Sequence, residues 1–173
     1  GELRVAIKHV DKGRFSDFAN NILKEGDTLD VAGPEGRFIL EVDTSNHKDY
    51  LAIAAGSGIT PVISMIKAVI QSEKDSRFAL IYGSKSGEKT IFKKELDALV
   101  VSSGGRFQVQ YVYSQIISDK ALFGRIDTKL VKELLKNKFS AWNFDSYFLC
   151  GPEEMIDDAK GMLIKSGVNE DDI

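Results

Sequence analysis

The 173 residues carry 23 Lys and Arg against 26 Asp and Glu, a formal charge of −3 with an isoelectric point near 5.5. At 43% hydrophobic and 28% charged, the composition is that of a globular chain with a sizeable core, which excludes disordered, collagenous and coiled-coil classes. No apolar run reaches the roughly 18 residues of a membrane span, and no basic surface marks a nucleic-acid binder, so neither partner is expected.

The charge is unevenly spread. Residues 1–46 hold 6 basic and 9 acidic side chains, while residues 47–173 hold 17 of each. A phosphate site in the second part must therefore be local. The single cysteine, Cys150, cannot form an internal disulfide and points to a reducing compartment, the cytoplasm. Together with His9 and His47 it also falls short of a four-ligand zinc or iron–sulfur site, so any redox centre here is expected to be organic. The chain opens on Gly1-Glu2 without Met and enters a strand pattern at once, which leads us to expect a piece of a longer polypeptide.

In chain order, Leu3, Val5 and Ile7 alternate with Arg4, Ala6 and Lys8, the two-residue period of a half-buried strand. Asp11–Gly13 is a turn, and residues 16–23 are predicted as a short helix starting on a Ser16 cap. Strands are predicted at residues 28–31 and 38–42, separated by the turn Gly33-Pro34-Glu35-Gly36. These short strands suggest part of a small antiparallel barrel, too few in number to close it.

The polar run 43–49 is predicted to be a linker, and the grammar then changes. Residues 50–55 are a continuous apolar run, as in a buried parallel strand. Helices are expected near residues 60–72, 93–99, 128–135 and 153–166, and strands at 78–82, 107–113 and 146–150. That alternation predicts a doubly wound α/β domain over residues 47–173, preceded by the barrel remainder over residues 1–46.

Two strand-to-helix turns carry the candidate chemistry. Gly56-Ser57-Gly58-Ile59-Thr60-Pro61 follows the first parallel strand, where glycines let backbone N–H groups approach a phosphate and Thr60 and Pro61 suit the cap and first helical positions. The turn is either a pyrophosphate cradle or simply a tight connection. Cys150-Gly151-Pro152 ends the last strand. Ligands of open α/β sheets sit beyond the carboxyl ends of strands, so both turns are expected to face one cleft. Cys150 on its own reads as a core thiol, and no nearby His makes it a nucleophile.

Three ordered motifs, Gly13-Arg14-Phe15-Ser16, the Gly56–Pro61 turn, and Cys150-Gly151-Pro152 with Met155, resemble the ferredoxin–NADP reductase superfamily of flavin-dependent reductases. The similarity extends over essentially all residues and is greatest to oxygenase reductases of the phenylacetyl-CoA oxygenase kind, in which a plant-type ferredoxin domain follows. The resemblance implies that Gly13, Arg14, Phe15 and Ser16 hold the pyrophosphate of FAD, a role compatible with Ser16 as a helix cap. It likewise implies that Gly56, Ser57, Gly58, Thr60 and Pro61 hold a nicotinamide nucleotide, and that Cys150 lies beside its ring with Gly151 and Pro152 shaping the wall. Met155 is expected in the core.

The resemblance places Ser84 and Lys85, Ser114 and Gln115, and Arg125 at the adenosine end, although each also suits a solvated loop. Phe92–Leu96 matches the family too, but a charged helix explains it fully. The family's arginine–aromatic–serine flavin motif would precede Gly1, and the ferredoxin cysteines would follow Ile173. The function implied is electron transfer from NADPH, with NADH as the alternative, through FAD to a 2Fe-2S domain outside this chain and then to an oxygenase. Rival readings are an NADH-dependent flavohaemoglobin- or cytochrome b5 reductase-type domain, and a nucleotide-binding module without turnover.

Overall fold

The computed structural model describes residues 5–33 and 35–173, which fall into two compact units, Gly1–Ile39 and Leu40–Ile173. The predicted positions Leu3, Arg4 and Pro34 lie outside the described residues.

In the first unit the one regular element among the described residues is helix α1, Arg14–Asn21. It begins at Arg14, two residues before the predicted span, with Gly13 at the cap position, so Ser16 is not its cap. The Ser16 hydroxyl instead folds back on the preceding loop, accepting from the Val10 N–H at 3.1 Å and lying 3.1 Å from the Gly13 carbonyl. Residues 5–8, 28–31 and 38–42 form no strands. A strand is a pairing relation, and a segment such as 28–31 has strand-like sequence but forms no ladder among the described residues. Val5, Val31 and Ile39 are left exposed.

The second unit is a five-stranded parallel sheet in the order β4-β3-β2-β1-β5. Its strands are β1 (Asp49–Ala55), β2 (Arg77–Ser84), β3 (Phe107–Tyr113), β4 (Leu122–Phe123) and β5 (Phe144–Cys150). Helices α2 (Ile59–Ser72) and α3 (Lys93–Ser102) cover one face, and α4 (Thr128–Lys136) and α5 (Glu153–Lys165) the other. Successive β1 residues serve opposite cores: Tyr50, Ala52 and Ala54 pack with α2, while Leu51 and Ile53 pack with α4 and α5. Both faces are covered, which is why this strand reads as unbroken apolar sequence. The chain runs outward from β1 to β4 and then returns to add β5 on the other side of β1. The order therefore reverses between β1 and β5, which fixes where the sheet splays open.

The predicted linker 43–49 belongs to this second unit, which begins seven residues upstream of the expected boundary. Its polar side chains are not free spacers. Glu73 is fully buried at the end of α2 and accepts from the Asp43 N–H at 3.0 Å, the Asn46 amide at 2.8 Å and the Tyr50 hydroxyl at 3.0 Å. Burial works to raise the Glu73 pKa, but the donors from Asn46, Ser76, Asp43 and Tyr50 outweigh it and hold the carboxyl below its ordinary value. Such a carboxylate contributes stability above the unfolded glutamate pKa and loses it as pH falls through the lowered folded value. Glu73→Ala, which leaves these donors without their acceptor, is expected to cost roughly 2–4 kcal/mol at neutral pH. Urea unfolding at pH 7 and at pH 3.5 checks this, with the deficit shrinking at the lower pH.

Candidate functional site

The carboxyl ends of the strands form a row of turns whose order follows the sheet. At the point of reversal, Gly56–Gly58 continue β1 as a short 3-10 turn running straight into α2. Gly56 opens this turn in the left-handed region at φ 56°, a conformation that favours glycine. The helix begins one residue before the predicted cap, so Thr60 and Pro61 lie inside its first turn. The Thr60 hydroxyl donates back to the Ser57 carbonyl at 3.0 Å instead of capping. The first N–H groups of the turn precede any intrahelical bond and are those an anion would use.

The turn after β5 is locked against this one. A Cβ on Gly58 would collide with the carbonyl of Cys150 and lie 3.0 Å from the Gly151 nitrogen. Gly151 is tightly enclosed in turn: a Cβ there would displace the flexible end of Met155, whose Cε lies 2.7 Å away, and press on Ala55 Cβ at 3.2 Å. Two glycine turns thus approach backbone to backbone, and parallel pairing of Ala54 with Cys150 fixes their register. Cys150 is half-buried against the α2-side core, and burial pushes its thiol pKa up. It is therefore a neutral thiol at pH 7, a small polarizable surface and not a nucleophile. Pro152 is exposed, and Met155 packs with the α5-side core as expected.

Beyond β2 and β3 the ladder continues past the strand ends. The Ser114 N–H donates to the Ser84 carbonyl at 3.0 Å and the Gln115 N–H to the Lys85 carbonyl at 3.1 Å. The Gly124 N–H donates to the Tyr113 carbonyl at 2.9 Å, which brings Arg125 to the same end of the sheet. Lys85, Gln115 and Arg125 are exposed. The Ser84 hydroxyl is already engaged, 2.7 Å from Thr90 Oγ1 and 3.0 Å from the Ser86 carbonyl, and ties its own loop. From β5 to β3 the row spans three strand spacings, about 14 Å, so its polar groups suit an extended, multiply charged ligand. Gly13, Arg14, Phe15 and Ser16 lie in the first unit, where the α1 start has no side-chain cap and Arg14 and Phe15 are exposed.

Two features escape a reading of the sequence. One is β4, a two-residue strand too short for any periodicity, which pairs with Val112 and Tyr113 and carries Gly124–Arg125 into place. The other is Tyr82, fully buried on β2, whose hydroxyl donates to the Gly56 carbonyl at 2.9 Å. Alternation assigns Tyr82 to a face, but its reach across to the next turn has no local signal.

A family model described as the oxidoreductase NAD-binding domain matches residues 52–161. One of the subunits of 1,2-phenylacetyl-CoA epoxidase from Escherichia coli K12 is 37% identical over 169 residues, covering 97% of this chain and 48% of that protein. A flavohemoprotein of Candida albicans is 34% identical over 174 residues, covering 96% and 41% of the two chains. Among solved structures, the CS-b5R domains of human Ncb5or in the NAD+ form superpose with a TM-score of 0.80 at 25% identity, over 96% of this chain and 46% of that one. The chain thus spans about half the length of the curated relatives it matches.

Proposed function

Since the chain belongs to the oxidoreductase NAD-binding domain family of the ferredoxin–NADP reductase superfamily, we propose that it takes electrons from NADPH to FAD in a flavin-dependent reductase. Its onward acceptor is a ferredoxin-type 2Fe-2S domain outside this chain, which serves an oxygenase such as the phenylacetyl-CoA enzyme. The lone Cys150 accords with a cytoplasmic setting. The observation that carries the reading is the interlock of the Gly56–Gly58 and Cys150–Gly151 turns at the point where the strand order reverses.

In this reading residues 1–46 belong to the flavin domain and residues 47–173 bind the nucleotide. When bound, nicotinamide and flavin supply the electron transfer itself, and the chain positions them. Ser57 and Gly58, at the start of the helical turn, hold the nucleotide pyrophosphate, with Thr60 and Pro61 stiffening that turn. Cys150 borders the nicotinamide ring, and Gly151 and Pro152 keep the wall thin. At the start of α1, Gly13–Ser16 face the FAD pyrophosphate: Gly13 shapes the turn with its N–H on the Val10 carbonyl at 2.9 Å, the first helical N–H groups and the exposed Arg14 meet the phosphates, and Phe15 offers an apolar surface. No side chain is required to move a proton.

Lys85, Arg125 and the polar Ser84, Ser114 and Gln115 form the adenosine end. The two cations favour a 2′-phosphate, and a charge-assisted hydrogen bond at an exposed site supports about a tenfold preference for NADPH over NADH. Lys85→Ala and Arg125→Ala are each expected to remove most of it. The check is kcat/KM for both coenzymes with ferricyanide as acceptor, using protein saturated with FAD. An NADH preference in the unmodified protein favours a second reading, a flavohaemoglobin- or cytochrome b5 reductase-type domain, which the uncharged Gln115 and the likeness to the Candida flavohemoprotein support. Nucleotide binding without any reductase activity would instead leave a non-catalytic module.

A further inference from the structure

Tyr82 stands apart from every motif so far assigned a ligand. It is fully buried on β2, yet its hydroxyl reaches the adjacent turn and donates to the Gly56 carbonyl at 2.9 Å. Ring packing holds it there, with the Tyr111 ring centroid 6.4 Å away and Tyr113 stacked on Tyr111 at 6.1 Å. In a trans peptide unit the C=O of one residue and the N–H of the next point in opposite directions. Fixing the Gly56 carbonyl on a buried hydroxyl therefore turns the Ser57 N–H away from the core. Ser57 is exposed, and its own carbonyl is held by the Thr60 hydroxyl at 3.0 Å. Two successive carbonyls are thus pinned from the protein side at a turn that opens on a left-handed glycine.

We propose that Tyr82 is a positioning residue for diphosphate binding, its hydroxyl setting the outward direction of the Ser57 N–H through the Gly56 peptide. The inference rests on the dinucleotide reading of this turn. Gly56 has broad conformational freedom, so without the tether the peptide rotates and the donor is lost for part of the time. Burial is the main influence on the Tyr82 hydroxyl and keeps it protonated at every working pH, while a backbone N–H from Ile91 pulls the other way. Protonated, the hydroxyl has its proton available for the Gly56 carbonyl, to which it donates.

The test is calorimetric titration of the chain and its Tyr82→Phe variant with NADPH and with adenosine, which lacks the diphosphate. Loss of one such hydrogen bond is expected to weaken NADPH about three- to tenfold and leave adenosine within twofold. The Ser57 amide cross-peak, followed by 15N NMR, is expected to broaden or shift in the free variant and to respond less to NADPH. Equal NADPH affinity in the two proteins overturns the role of Tyr82, and so does equal weakening of both ligands, the mark of a general structural defect. Failure of the unmodified chain to bind NADPH overturns instead the reading of the turn. Should Tyr82→Phe not fold, the unmodified chain still decides: with its N–H fixed outward, the Ser57 amide cross-peak is expected to shift with NADPH and not with adenosine, and a Ser57 amide unmoved by bound NADPH overturns the inference.

Discussion

Gly58→Ala is expected to lower the melting temperature by several degrees and to weaken reduction by NADPH on the order of 100-fold. The added methyl has nowhere to go. It meets the carbonyl of Cys150 and the Gly151 nitrogen, which are backbone atoms held by the pairing of β5 with β1, so no side chain can rotate aside. Either the start of α2 or the end of β5 must move, at a cost of about 1–3 kcal/mol for overpacking. A shift of about 1 Å between the two turns is enough for a rate loss of that size if, as proposed above, the nucleotide engages both at once. Gly161 provides the contrast. It lies within α5, and a Cβ added there would have nothing within 4 Å, so Gly161→Ala is expected to stabilise by roughly 0.5–1 kcal/mol and leave activity unchanged. Thermal unfolding and kcat/KM measured together separate the two glycines, and equal behaviour would refute the interlock.

The legibility of the second unit has a physical origin. Strands such as residues 107–113 and helices such as α4 announce themselves because burial on fixed faces imposes a period on the sequence. Helix starts are displaced by one or two residues, since Ser16 and Thr60 bond backwards to carbonyls instead of forward to N–H groups. The expected barrel strands fail for a different reason. Alternation encodes a face, but a strand also needs a neighbour, and residues 28–31 find none among the described residues. The polar run 43–49 reads as a linker because its side chains are hydrophilic; only the fold reveals the buried Glu73 that receives them. At the site, the glycine turns are visible as motifs, whereas their mutual contact and the Tyr82 tether are tertiary and leave no spacing to detect.

Cys150→Ala is expected to slow flavin reduction by on the order of 100-fold at saturating NADPH while leaving NADPH affinity nearly unchanged. The side chain packs with the α2-side core and carries no charge, so it is expected to contribute little to holding the nucleotide. Its sulfur instead fills the space beside the proposed ring site, and replacing it with a methyl lets the ring settle at the wrong distance or tilt, which the rate feels steeply. Chemistry by a thiolate is a distinct alternative with a distinct signature. Because burial raises the Cys150 pKa, the thiol stays protonated from pH 6 to 8, and the unmodified protein should show no thiol-dependent inflection in rate across that range. Cys150→Ser retains the volume but hardens the contact, so an intermediate rate is expected. Stopped-flow flavin reduction across this pH range, with affinity from titration, distinguishes the cases. A pH-dependent rate lost in Cys150→Ala would assign the sulfur a chemical role, and unchanged rates in both variants would return it to the core.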